Sequence, residues 1–334
     1  MDVVAVDELD EAALLAVADL LLAVADHDGV SALHAVGPRE GVAASLAAGR
    51  EPDQDVLVVR ADDGVGLATL PRRANTDRAS LEVSVHPRAR GRGLGRALLT
   101  AVVGAAAERG RTTAELWCPP TGPALAAARH LPGLREVMDE RESVLVLDDD
   151  ARRLARDAVE AGAGRAERDG YQLRGWEGPC PADLVEPLGE AHVAMDDAPV
   201  GESSWRPGPH GSDQDRALDR FVEAAGLRHR TLVAVHEADG AVAGFTDVAW
   251  WPGHDRGEQW DTGVVREHRG HGLGLLLKAS MALDLAADAS APRVLHTSNA
   301  ESNSHMLAVN EALGWRAVGT WTQLEGPLAA LTGR

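Results

Sequence analysis

This 334-residue sequence predicts a layered α/β (α+β) domain built twice in tandem. Three observations carry the prediction. The length exceeds the usual single hydrophobic core and suits two domains of about 150 residues. A short glycine loop is written twice, as RGRGLG at 90–95 and RGHGLG at 269–274. Each copy follows a valine-bearing apolar segment and precedes an apolar run with helical spacing. A shift of 179 (269 minus 90) lays Val85 on Val264, Arg90 on Arg269, and Gly91, Gly93 and Gly95 on Gly270, Gly272 and Gly274. Leu94 and Leu98 fall on Leu273 and Leu277.

In the first half, apolar residues at helical spacing predict a helix over 11–25, and β-branched runs predict strands at 56–60, 65–71 and 81–85. The third strand ends at the glycine loop, and 94–108, free of proline, reads as the helix after it. Short strands follow at 116–118 and 143–147. From 148 to 168 the chain is charged and alanine-rich, with AGAG at 161–164, and reads as a connecting helix or linker. The second half repeats the order: strand 171–176, helices 182–195 and 214–225, strands 231–236, 242–250 and 258–265, then the loop and a helix over 273–287. A strand at 293–297, a helix at 302–313 stopped by Gly314, and a strand at 316–323 complete it. The domains predicted are 1–150 and 170–334, with 151–169 between them.

Composition bounds the function. A net charge of −19 argues against nucleic acid as a partner, because phosphate binding needs a basic face. The same excess concentrates cationic substrates in acidic clefts. Cys118 and Cys180 are the only cysteines, too few for a disulfide framework or a cysteine-rich metal site. The opening MDVVAVDELDEAALL has no basic start, and no stretch is long and apolar enough to span a bilayer, so the expectation is a soluble, cytoplasmic protein with no membrane partner.

Glycines between a strand and a helix let the chain turn tightly and aim several amides at one point, beside the positive end of the helix dipole. That makes a phosphate cradle. The dinucleotide fingerprint needs GxGxxG and the P-loop GxxxxGK followed by Ser or Thr; the spacing here, GxGxG, fits neither. It resembles motif A of the GNAT N-acetyltransferase superfamily, Arg or Gln, two residues, Gly, one residue, Gly or Ala, which Arg90, Gly93 and Gly95 match, as do Arg269, Gly272 and Gly274. A second match is to that family's motif B: Asn303, Met306, Asn310, Gly314 and Trp315 hold its spacing, with Asn310 where the family carries tyrosine. In the first half the corresponding positions are Gly122, Leu125 and Arg129, so motif B is largely lost there.

The resemblance implies two domains, each a mixed, mostly antiparallel sheet flanked by helices. It implies a catalytic second domain, a degenerate first one, and acetyl-coenzyme A as cofactor. Val264, Val265, Arg269, Gly270, His271, Gly272, Leu273 and Gly274, with Asn303 and Asn310, would hold it, and Val85, Arg90, Gly91, Gly93 and Gly95 form the counterpart. The Val264 amide is the implied oxyanion donor. Glu258 and Asp261 stand at the family's two base positions, and strand alternation places them on opposite faces unless a bulge intervenes. Asn310 can hydrogen-bond coenzyme A but cannot act as an acid. His268 and His305 are further titratable candidates, and His254, His271 and His296 show no metal-ligand spacing. Lys278, the only lysine, reads either as an aid to phosphate binding or as an exposed helix lysine with no specific role. The acceptor is expected to be a small-molecule amine received by Asp196, Asp197 and Trp205, on a monomer or homodimer. A non-catalytic acyl-coenzyme A sensor and a protein N-acetyltransferase are the alternatives.

Overall fold

A computed structural model describes residues 1–32, 37–50 and 52–332. The chain forms two compact units, neither continuous in sequence. The first takes Met1–Arg141, Val200–Gly208 and Gly319–Arg334; the second takes Glu142–Pro199 and Pro209–Val318.

The first unit contains β1 (Val3–Ala5), α1 (Glu11–His27), α2 (Arg39–Ala47), β2 (Gln54–Ala61), β3 (Gly64–Pro71), β4 (Arg78–Val85), α3 (Leu94–Glu108), β5 (Thr113–Cys118), α4 (Ala124–Ala128) and the start of β6 (Arg135–Val146). Asp10 caps α1 by accepting from the Ala13 amide at 2.8 Å. β2 sorts its side chains by parity: Leu57 and Val59 pack with Leu98 and Val102 of α3, while Val56 and Val58 pack with Val17 and Leu46 of α1 and α2. The sheet runs β1-β2-β3-β4-β5 and continues into the last strand of the chain, β12 (Arg316–Pro327), whose Thr322–Pro327 stretch pairs antiparallel with β5. A buried guanidinium fastens this arrangement: Arg78 reaches Glu115 at 2.5 Å and Glu325 at 2.9 Å and donates to Ser204 at 2.6 Å.

The second unit contains α5 (Asp149–Arg168), β7 (Tyr171–Glu177), α6 (Val185–Ala191), a 3-10 turn (His192–Asp197), α7 (Ser212–Ala224), β8 (Arg228–His236), β9 (Val242–Trp250), β10 (Arg256–Val264), α8 (Leu273–Ala287), β11 (Val294–Ala300) and α9 (Ser304–Ala312). Its strand order is β11-β10-β9-β8-β7. α5 and α8 cover one face through Leu276, Leu277, Met281, Val248 and Trp250; α6 covers the other through Leu184, Leu188, Val233 and Phe245. The stretch read as a connector is thus a capped helix of 20 residues, with Asp148 accepting from Ala151 and alanines facing the core. The predicted helix at 182–195 is shorter, because it tightens into the 3-10 turn after Ala191. The strand read at 143–147 begins at Arg135: the charges at Arg135, Glu136 and Asp139–Glu142 break up the apolar signal of its first half. Antiparallel pairs dominate within each unit, while β4 with β5 and β10 with β11 run parallel.

Candidate active site

Each parallel pair opens. β10 and β11 stay in register only over Arg256–Glu258 against Val294–His296, and β4 and β5 only over Arg78–Ser80 against Thr113–Glu115. Beyond those residues the strands diverge, so each unit has a gap beside the end of the strand that carries the glycine loop. In the second unit the Val265 amide donates to Ala243 of the strand on the other side, at 2.9 Å. Backbone groups alternate along a strand, so the N–H and C=O of Val264 point into the gap. Arg269 takes that carbonyl with Nε at 3.0 Å, and the Val264 N–H remains directed at the opening. The first unit repeats this: the His86 amide donates to Asp63, and Arg90 Nε bonds the Val85 carbonyl at 3.0 Å.

The cradles match as closely. Gly270 and Gly272 have φ of +84° and +77°, Gly91 and Gly93 +75° and +83°, values that disfavour any side chain. A Cβ added at these four would meet nothing within 4 Å, so the space above the loop is open. A Cβ added at Gly274 or Gly95 would meet Val264 or Val85 at 3.7 and 3.6 Å. Gly272 and Gly93 are N-caps without a side chain, so the first amides of α8 and α3, Leu273 and Gly274 among them, have no acceptor within the helix. The amides of this loop fit a diphosphate.

The motif arginines brace the loop. Besides the strand carbonyl, Arg269 bonds Asp197 at 2.7 Å, and Arg266 bonds the same carboxylate at 2.6 Å. These guanidinium groups hold the Asp197 carboxyl below its ordinary range. In the first unit Arg90 grips Asp28 with both terminal nitrogens at 2.8 Å. The sequence reading missed Asp28, because the aspartate-to-arginine separation differs between the halves. From behind, Arg165 of α5 donates to the Gly270 carbonyl at 2.9 Å, and His271 bonds Asp169 at 2.7 Å. His268 is held by the hydroxyl of Tyr171 at 3.0 Å. That is the only tyrosine in the chain, so none stands in for the family residue replaced by Asn310.

The units part company on the strand before the loop. β4 pairs with β3 without interruption, but β10 carries a bulge: Gln259 faces Val248 and Thr262 faces Thr246, so Trp260 and Asp261 share one partner, Asp247. The bulge cancels the expected alternation and turns Glu258 and Asp261 to the same face, the one covered by α6. Buried bonds fix it: Gln259 Nε2 donates to the Asp247 carbonyl at 2.6 Å and to Thr246 Oγ1 at 3.0 Å, and Thr297 donates to the Gln259 carbonyl at 3.2 Å. Trp260 Nε1 donates to Glu258 at 3.4 Å, its ring meets His229 at 5.2 Å, and His229 Nε2 lies 2.7 Å from Asp247. In the first unit Glu82, at the Asp261 position, is paired with Arg50.

That same face holds further acids that spacing did not reveal. Asp215 of α7 is 4% exposed, with both oxygens lacking a hydrogen-bond partner among the described residues. Burial, then the charges of Asp219, Asp247 and Glu186, push its carboxyl up to about 7. His192 lies 3.2 Å away, and burial lowers its pKa. Asp196 is bonded to His210 at 2.6 Å. Trp205 lies in Val200–Gly208 and so belongs to the first unit; its amide donates to Ser203. The structure therefore ties Asp196 and Asp197 to a histidine and two arginines, and places Trp205 in the other unit.

Across the gap, Asn303 caps α9 by accepting from the Met306 amide at 3.3 Å. Gly314, φ +85°, closes the helix in a Schellman turn in which the Trp315 amide donates to the Asn310 carbonyl at 3.1 Å. Asn310 is 2% exposed; its Nδ2 bonds Asn299 at 2.7 Å, while its Oδ1 is buried without a partner among the described residues. The first unit has only the five-residue α4 here, without a side-chain cap. Lys278 is buried, contrary to its reading as exposed, with Nζ 4.9 Å from the centre of the Trp315 ring. Among the described residues no group of three or more His, Cys, Asp or Glu is placed to hold a metal ion, and no helix is long and apolar enough to cross a membrane.

Comparison with known proteins agrees with this geometry. An acetyltransferase (GNAT) domain model matches residues 52–131 and the acetyltransferase (GNAT) family model matches residues 199–315. The chain is 30% identical to a mycothiol acetyltransferase from Clavibacter michiganensis, over 72% of this chain and 71% of the relative. It is 26% identical to one from Corynebacterium aurimucosum, over 77% of each. Among solved structures, a tandem GNAT protein from the clavulanic acid biosynthesis pathway superposes with a TM-score of 0.72 at 27% identity, over 98% of both chains. A GCN5-related N-acetyltransferase from Sphaerobacter thermophilus shares the fold, with a TM-score of 0.63 at 18% identity, over 98% of this chain and 95% of that one. Two glycine cradles, each beside an opened strand pair, thus carry a family signature along most of the chain, which belongs to the GNAT acetyltransferases as a tandem two-domain N-acetyltransferase.

Proposed function

We propose that the second unit moves the acetyl group of acetyl-coenzyme A directly to a primary amine of a small molecule. The single observation that carries this assignment to the second unit is the β10 bulge, which turns two carboxylates to one face beside a directed backbone donor. The cofactor supplies the activated thioester when bound. The amides of 270–274 hold its diphosphate, with Arg269 keeping the loop on the strand. The Val264 N–H would donate to the thioester carbonyl oxygen where negative charge develops, the N–C bond forming as C–S breaks, with coenzyme A leaving as a thiolate that takes up a proton from solvent.

The acceptor nitrogen must lose a proton. At about 3.3 Å per residue, Asp261 stands roughly 10 Å along the strand from Val264 and Glu258 roughly 20 Å. Asp261 is therefore the base, acting through a water, and Glu258, bonded by Trp260, supports it from the closed end of the gap. Acidic groups on this face, Glu258 and Asp261 among them, favour a cationic acceptor. The small-molecule class is supported by the mycothiol acetyltransferase relatives, whose name specifies one. The first unit keeps a cradle and a directed Val85 amide, and is read as a second coenzyme site in which Glu82 is committed to Arg50.

The test is release of coenzyme A from acetyl-coenzyme A in the presence of a panel of small amines. Acceptor-dependent release that falls about 100-fold or more in Asp261→Asn supports the reading. Binding of acetyl-coenzyme A with no release for any amine refutes it.

A further inference from the structure

The chain contains one lysine, and it is buried. Lys278 lies one turn beyond Gly274, on the helix whose first amides form the second cradle. Helical side chains slant toward the N-terminus, so its stem runs back toward that cradle. The ammonium lies over Trp315, which the Schellman turn holds beside Asn310, the residue with the orphaned Oδ1. Among the described residues no carboxylate pairs with Lys278. At the cradle above it, Arg165 of α5 bonds the Gly270 carbonyl and Asp169, just past α5, bonds His271. β11 brings His296, bonded to Arg256, and the His305 and Glu311 of α9 are exposed. Burial alone shifts the Lys278 amine, down to about 7.

A buried amine without an anion is costly to keep charged, and a cation over an indole offsets only part of that cost. The first unit shows that the fold does not require it: the 179-residue shift puts Leu99 at this position, packed in the core. What distinguishes the second cradle is thus a buried basic nitrogen one turn beneath the amides. We propose that Lys278 is the buried counter-charge of the second cradle, taking up a proton from solvent as a coenzyme A diphosphate settles on residues 270–274. The Nζ lone pair gains that proton, the buffer loses it, and coenzyme binding to this unit becomes proton-coupled. The inference rests on the cofactor reading above.

A protein with one lysine allows a direct test. Grown with 13Cε-lysine, it gives one lysine resonance, which is titrated with pH in the free protein and with saturating coenzyme A. The expected midpoint is about 7 in the free protein, rising by about one unit or more with coenzyme A, as an anion brought to the start of the same helix requires. Linkage then makes coenzyme affinity fall about tenfold more between pH 6.5 and pH 9 in the parent than in Lys278→Met, which controls for the coenzyme's own titration. A midpoint that coenzyme A leaves in place, with binding verified by calorimetry, overturns the proposal and spares the cofactor reading. Absence of coenzyme binding overturns both. The titration needs no substituted protein, so a poorly folded variant does not cloud it.

Discussion

Asp215→Asn should make the second unit more stable at pH 8 and not at pH 4. Asp215 is 4% exposed, faces His192, and has no hydrogen-bond donor on either oxygen among the described residues. Its carboxyl titrates at about 7 in the fold, against an ordinary value of 3.8. Three units at about 1.4 kcal/mol each amount to about 4 kcal/mol of cost for ionising it in place. The folded state holds this proton more tightly than the unfolded chain does. Stability is therefore undiminished below the unfolded pKa, falls as pH rises, and has lost the full amount above the folded pKa. Asparagine carries no such proton, so the variant-minus-parent difference should grow by up to about 4 kcal/mol between pH 4 and pH 8. His192, whose depressed pKa costs stability on the acid side, is present in both proteins. Urea unfolding of parent and variant across this range, following the transition that the substitution moves, measures the difference. A difference flat with pH would mean that Asp215 is ionised and paired at neutrality, and the reading of this face as desolvated would be wrong.

Three further outcomes follow from the site. Asp28→Asn removes a carboxylate, 12% exposed at its side chain, from both nitrogens of Arg90, and should cost the first unit about 2 kcal/mol in denaturant unfolding. Asp197→Asn releases Arg266 and Arg269 from a more exposed carboxylate, so the KM for acetyl-coenzyme A should rise roughly threefold at low salt, and the gap from the parent should close at 0.5 M salt, roughly, while kcat holds. Glu258→Gln should lower kcat/KM less than Asp261→Asn does. The reverse order in steady-state kinetics would move the base to Glu258.

The cradle and the second motif were legible because they are demands on the backbone: glycines at positive φ, a strand before them and a helix after. Strands such as Val242–Trp250 announced themselves by composition, being buried along their whole length. The bulge was not legible. Gln259, Trp260 and Asp261 contain no glycine to mark an extra residue, and the bonds that hold it come from Thr246, Asp247 and Thr297, on other strands. Asp28 and Asp197 perform one task from unequal separations, so no repeat search aligns them. Arg135–Glu142 carries no strand signal because its charges interrupt the apolar pattern.

The two sites diverge in a particular order of parts. What both units keep is backbone: the opened parallel pair, the loop, the directed amide at Val85 or Val264, and an arginine bonded to that residue's carbonyl. What only the second has is side-chain chemistry fixed by a local irregularity: the bulge, the capped α9, and Lys278 beneath the cradle. A backbone cradle survives most substitutions, because amides do not depend on residue type. A carboxylate at a bulge is lost by a single deletion that restores plain pairing: without Asp261, Trp260 alone faces Asp247, and the pairs on either side, Gln259 with Val248 and Thr262 with Thr246, stay as they are. Deleting Asp261 should therefore abolish turnover while leaving coenzyme binding at Arg269–Gly274 within a few-fold of the parent, and loss of both together would show that cradle and bulge are one structure.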